Sequence, residues 1–289
     1  MKTSDIKNPV FKAAVEAIDG GKVHELRRLV AQNPALLSER LVNGEQGYFK
    51  DPYLLYFVAD NPIRMEKLPV SIVEVTVVLV GELKRLEVVS LQEQLDYTLG
   101  LVATGRIPRE CGVQLAIMDL LMDAGAKPGG GLGALAHGNV DAARRLIECG
   151  GALTLGTAVG LERGDDVRRM APAAGQDERL VALTVAAFYG KQEWIAFLLA
   201  LGVDPNDYPK SEGFHSHATP LHQAVSSGSL AAVKLLVEAG ADLALKDKIY
   251  GGTAWGWAGH MLAEEREEAL RNQHAAIAEY LERKATGPE

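Results

Sequence analysis

The sequence predicts an all-α chain, a stack of about eight short helix–turn–helix units without a central sheet. Three observations lead there. Thr219 to Asp242, TPLHQAVSSGSLAAVKLLVEAGAD, reads as one complete unit. Its internal spacing recurs at four other places along the chain. A glycine recurs at the same point of the turn in four of these five units.

Within that unit, Thr219 is a candidate helix cap and Pro220 sits in the first turn, where a missing N–H is harmless. Gly228 ends the first helix. Val233, Leu236 and Val237 form an apolar stripe at i, i+3, i+4 on the second, and Gly240 is the left-handed stop. Neither helix is long enough to stand alone in water, so each needs a neighbour. Thr219-Pro220-Leu221-His222-Gln223-Ala224 follows the T-P-L-H-x-A pattern. On these residues the chain resembles the ankyrin-repeat family, and with HATPLHQA and YGGTAWGWA it looks like bacterial ankyrin repeat domain-containing proteins. The resemblance implies a solenoid in which His222 braces neighbouring turns by hydrogen bonds.

The other units are found from Ala224 and Val233, one marker per helix, nine residues apart. The same spacing joins Ala17 to Leu26, Ala134 to Ala143, Ala158 to Val167 and Ala186 to Ile195. Each second marker opens an apolar triad, such as Ile195-Leu198-Leu199. The turn glycine is Gly21, Gly138, Gly190 or Gly228; at the fifth unit Glu162 stands there, so that unit is the weakest. Three more triads, at Val75, Ile117 and Ile277, lie 14 to 19 residues beyond first helices centred on Val58, Ala103 and Ala258. Loop insertions at 61–69, 105–112 and 263–273 account for the longer spacing. The expected helix pairs span 9–34, 52–82, 97–127, 131–153, 155–172, 181–206, 219–244 and 253–284, in a single domain over 1–289. Small inner alanines let helices approach, and each unit touches only its neighbours. Lys7, Lys12 and Lys22 at one end and Glu264 to Arg271 at the other suit wet capping faces.

A net charge of −8 argues against a phosphate-tracking surface, so no nucleic acid is expected. No stretch approaches 18 apolar residues, so no membrane is expected, and Val70 to Val80 reads as a buried helix. Cys111 and Cys149 form no disulfide framework, and the N-terminus lacks an apolar leader core; a cytoplasmic setting is expected.

Motifs for chemistry are sparse. Gly131 to Ala136 mimics a dinucleotide fingerprint but lacks a preceding strand. His215, His217 and His222 form H-x-H-x4-H, two of them able to share a face, yet no third zinc ligand follows from the pattern. No catalytic residue, metal or cofactor is expected. Asp60, Asp207, Asp242 and Asp247 read mostly as turn residues.

In an ankyrin stack, positions flanking the inner alanine face the concave groove. Here they carry Phe57, Asp60, Phe188, Tyr189, Trp257, His260 and Met261, with Tyr250 on the preceding finger. Trp255 is assigned to packing. Aromatics make up only 6% of the chain, and Trp and Tyr are favoured at the centres of interfaces. The expected function is therefore a non-catalytic protein–protein interaction module gripping a protein partner in the groove. The alternative is a small-molecule site or enzyme in that groove, with Asp60, His137, His222 and His260 as proton-transfer candidates.

Overall fold

The computed structural model describes residues 2–42, 47, 49–59, 66–210 and 213–286. The described residues contain helices and turns but no strand; an isolated antiparallel bridge joins Lys246 to Thr253. The chain divides into two compact units, 1–152 and 153–289.

In the first unit, helices α1 (Pro9–Asp19) and α2 (Val23–Gln32) form one pair. A 3₁₀ helix (Leu54–Ala59) pairs with α3 (Ile72–Arg85), and α4 (Leu91–Thr104) with α6 (Gln114–Asp123). Helix α7 (Leu132–Ala136) pairs with α8 (Val140–Glu148). The first members pack in a row, α1 on the 3₁₀ helix, that on α4, and α4 on α7; the second members form a parallel row in the same order.

The second unit repeats the plan with α9 (Leu155–Gly160) and α10 (Gly164–Met170), then α11 (Gln176–Phe188) and α12 (Gln192–Ala200). Next come α13 (Pro220–Ser226) with α14 (Leu230–Glu238), and α15 (Ala254–Glu264) with α16 (Glu268–Thr286). Helices α9, α11, α13 and α15 pack side by side, while α12, α14 and α16 line up behind them.

The spacing of nine has a structural cause. The marker carbonyl accepts a hydrogen bond from the N–H five residues on: Lys22 N to Ala17 O, Asn139 N to Ala134 O, Arg163 N to Ala158 O, and Lys191 N to Ala186 O, at 2.8–2.9 Å. This closing bond needs a left-handed residue four after the marker. Gly21, Gly138 and Gly190 supply it with φ of 61–70°, and Glu162 adopts φ 57° at the same place; Gly228 has φ 69°, but the Ser229 N–H that follows it is donated to the Ser227 hydroxyl at 3.2 Å instead. The marker alanines are buried, and so is the leading residue of every triad. Helix α3 covers most of the apolar run at Val70 to Val80, although Val70 itself lies outside it, fully exposed.

Three expectations are corrected. Residues 105–112 are not a plain loop, because α5 (Arg106–Glu110) forms there and buries Ile107 and Pro108. The run 263–273 is not an inserted loop: α15 continues to Glu264 and α16 resumes at Glu268, as its alanine, glutamate, leucine and arginine content favours. Thr219 does not cap α13 through its side chain; its hydroxyl is engaged by His222 instead. Of the expected insertion at 61–69, residues 61–65 lie outside the described residues.

Candidate functional site

The second unit gathers most of the expected site residues. A finger, residues 246–252, leads into α15 and is organised by one carboxylate. Asp247 is buried, and its Oδ1 accepts from the N–H groups of Ile249 (2.9 Å) and Tyr250 (2.6 Å). Its Oδ2 accepts from Gly252 N at 2.8 Å and from the indole Nε1 of Trp257 at 3.0 Å. Burial alone would raise the Asp247 pKa, but these four donors favour the ionised form and hold it far below the usual carboxylate range.

His222 locks the same finger from α13. Its Nε2 lies 3.0 Å from the carbonyl oxygen of Gly252, and its Nδ1 lies 2.8 Å from the Thr219 hydroxyl. A carbonyl only accepts, so Nε2 carries the proton and the neutral ring takes the Thr219 hydrogen on Nδ1. Burial pushes the His222 pKa below its ordinary value, against the opposing pull of the Gly252 bond and the Asp247 charge. This is the brace that the T-P-L-H resemblance implies, built from Thr219, Pro220, Leu221 and His222 at the start of α13.

A continuous ladder of rings crosses this region. Tyr189 meets Phe188 edge-on at 5.0 Å, and His215 stacks on Phe188 at 5.1 Å. His215 and His217 are 5.9 Å apart, His217 and Trp257 6.1 Å, and Trp257 and His222 5.1 Å. Phe188, Tyr189, His215, His217 and Trp257 are all half-buried, so each ring is partly open to solvent. Tyr189 is enclosed enough that burial raises its pKa to about 12. Lys248 donates its N–H to the His217 carbonyl at 2.8 Å and holds its ammonium 4.1 Å from the Tyr208 ring centroid.

Other expected residues fall elsewhere. Phe57 is no surface residue: it is fully buried in the first unit, edge-on to Phe11 at 5.8 Å and to Phe49 at 5.1 Å. Asp60 lies outside the described residues. His137 is exposed in the first unit, at the edge of a groove of about 620 Å³ lined also by Asp96, Tyr97, Leu101, Thr104 and Ile107. His260 is exposed on α15, Met261 beside it is half-buried, and Tyr250 projects from the fingertip with 80% of its surface exposed. Trp255 is not a packed residue, being 52% exposed.

The remaining motifs acquire structural roles. Gly131 has φ 74° and opens α7, where an added Cβ would meet Ala143 at 3.2–3.3 Å; this glycine run is a helix entry. Both nitrogens of His222 are engaged, and among the described residues no group of three or more His, Cys, Asp or Glu is placed to hold a metal ion. Sequence reasoning passed over Asp247 as a turn residue and treated His215 and His217 only as possible zinc ligands. The Asp247-to-Gly252 stretch before Thr253 carried the available signal, since an Asp followed by free N–H groups two, three and five residues on invites such a turn.

Repeated helix pairs, closed by the same left-handed turn and braced between neighbours, define a helical-repeat protein. Residues 132–247 are matched by the family model of ankyrin repeats (3 copies), so the chain carries ankyrin repeats there. Among solved structures, the crystal structure of the human ASB11 ankyrin repeat domain is similar at 16% identity, covering 94% of this chain and 98% of that one, with a TM-score of 0.34. No curated protein matches the chain. No helix among the described residues is long and apolar enough to cross a membrane.

Proposed function

We propose that this chain is a non-catalytic protein-interaction module, and that its partner binds the ring ladder of the second unit. Ankyrin repeats in general serve protein–protein contact through extended surfaces. The observation that supports the site is the ladder itself: five half-buried rings from Tyr189 to Trp257, each resting on the next, with Trp257 fixed from below by Asp247. Rings held in place lose little entropy when a partner covers them, which is how aromatic anchors contribute to affinity. In this reading Phe188, Tyr189, His217 and Trp257 form the contact surface, and the exposed His260 and Tyr250 add to it. The partner is a protein presenting apolar side chains, and the setting is cytoplasmic.

Affinity capture with the full chain, followed by mass spectrometry, tests this. A single stoichiometric protein is expected, and His217→Ala should reduce its recovery without unfolding the chain. Equal recovery by His217→Ala would remove the site assignment. Recovery of only a small molecule would replace the reading with its alternative, a small-molecule site or enzyme. The observation favouring that alternative is the groove beside His137. Against it, both ring nitrogens of His222 are already engaged, by Thr219 and by the Gly252 carbonyl.

A further inference from the structure

Four second-member helices, α6 and α8 in the first unit and α12 and α14 in the second, end in one motif. Gly125, Gly150, Gly202 and Gly240 take φ of 114°, 95°, 79° and 91°. The residue after each returns its N–H to the carbonyl five back, as Ala126 does to Leu121 at 2.9 Å and Ala241 to Leu236 at 3.0 Å. Helix α3 ends identically, with Val88 N bonded to Leu83 O at 3.2 Å, but the left-handed residue is Glu87, at φ 50°. A Cβ is disfavoured in that conformation, so glycine would stabilise this turn. Glu162 is the other glutamate found where repeats use glycine, and its carboxylate pairs with Lys191. Glu87 is exposed, and its carboxylate makes no ion pair or side-chain hydrogen bond among the described residues.

Glu87 lines an open cleft of about 780 Å³ in the first unit. Pro34, Ala35, Tyr53, Val88 and Val89 supply apolar walls, and Val89 is fully exposed at the lip. The neighbouring cation, Arg40, is already committed: it pairs with Glu93 and stacks 4.2 Å from the Tyr53 ring centroid. Ser38, Ser90 and Glu93 complete the lining, so the cleft presents two carboxylates, Glu93 paired with Arg40 and Glu87 uncompensated among the described residues, beside these apolar side chains. A guanidinium fits that combination: it is planar and weakly hydrated, it pairs with a carboxylate through two N–H groups, and its methylene stem packs on apolar walls.

We propose that this cleft binds an arginine flanked by apolar residues, on an extended segment of a partner protein, with Glu87 pairing to the guanidinium. The proposal is independent of the ring ladder, which lies in the other unit. It explains why a strained glutamate stands where four other helix ends have glycine.

The test is a titration of ¹⁵N-labelled full-length protein with acetyl-Leu-Arg-Leu-amide to millimolar concentration, followed by amide chemical shifts. Saturable shifts are expected at Ala35, Ser38, Val88 and Val89, and acetyl-Leu-Gln-Leu-amide should bind about fivefold or more weakly. Glu87→Gln should weaken the arginine peptide by a similar factor. Glu87→Gly should raise the melting temperature and still lose arginine preference, separating binding from folding. The proposal fails if neither peptide shifts these amides, or if both bind alike. It also fails if Glu87→Gly retains wild-type arginine affinity, or if it does not stabilise the protein.

Discussion

Trp257 is both a ladder ring and a ligand of Asp247, and this double use decides what its removal does. Trp257→Ala takes one donor from a buried carboxylate and one ring from between His217 and His222. A loss of about 2–4 kcal/mol in unfolding free energy is expected by urea denaturation, beyond any effect on binding. His217→Ala, touching no buried charge, should cost less than about 1 kcal/mol and is the cleaner probe of the surface. The pH response follows from His222. Its folded pKa lies below the ordinary value, so in the acid range the unfolded chain binds the proton that the folded chain refuses. This contribution is complete above about pH 6.5, the ordinary histidine value, and is lost as pH falls through it toward the folded pKa. Urea midpoints should drop between pH 7.5 and 5.5, and His222→Gln should flatten that slope. Asp247, depressed far below its ordinary value, adds a second loss at lower pH, once the unfolded carboxylate begins to protonate. Sequence reading picked out Phe188, Tyr189, Trp257 and Tyr250 because aromatics at those repeat positions exceed what the stack requires. It passed over Asp247 because a turn aspartate and a buried four-donor carboxylate look alike until Trp257 is brought 10 residues back onto it.

The repeated element was legible because its chemistry is local. The distance from Ala186 to Ile195 is set by a left-handed residue and one hydrogen bond, both encoded within ten residues, so spacing and glycine suffice to find it. The helices over 263–273 were less legible, since a long spacing between markers is equally met by a loop or by longer helices. The 3₁₀ helix at Leu54–Ala59 reads the same way from sequence as an α-helix, and only its buried neighbours decide where Phe57 points. The same turn gives two opposed predictions. Glu162→Gly should relieve about 1 kcal/mol of left-handed strain and lose only an exposed pair with Lys191, for a net gain of a few tenths to about 1 kcal/mol. Gly21→Ala should destabilise by more than that, because φ is 63° and the new Cβ would fall 2.3 Å from Ser71 Oγ and 2.9 Å from Pro69 Cβ. Chemical denaturation of both variants checks the pair.

At the scale of the whole chain, stability in a repeat stack is a sum of unit and neighbour terms, so the weakest unit opens first. Helices α9 and α10 are short, of six and seven residues, and Val167 is the buried residue of α10. The second row is thin here: Met170 is half-buried and Ala171 is small, where the corresponding Leu198 and Leu236 of α12 and α14 are fully enclosed. Glu162 adds backbone strain in the turn between the two helices. Surface pairs such as Arg168 with Glu193 offset little of this, because both partners are more than half exposed. Amides of Gly164 to Gly175 should therefore exchange ahead of those in α12 and α14, read by hydrogen–deuterium exchange with the fraying termini set aside. Leu236→Ala, a core deletion worth about 2–5 kcal/mol, should accelerate exchange in α14 and α13 until that order reverses. Uniform protection from α9 to α14 in the wild type would mean that these pairs unfold as one cooperative block, and that Glu162 and the short α10 cost the stack nothing.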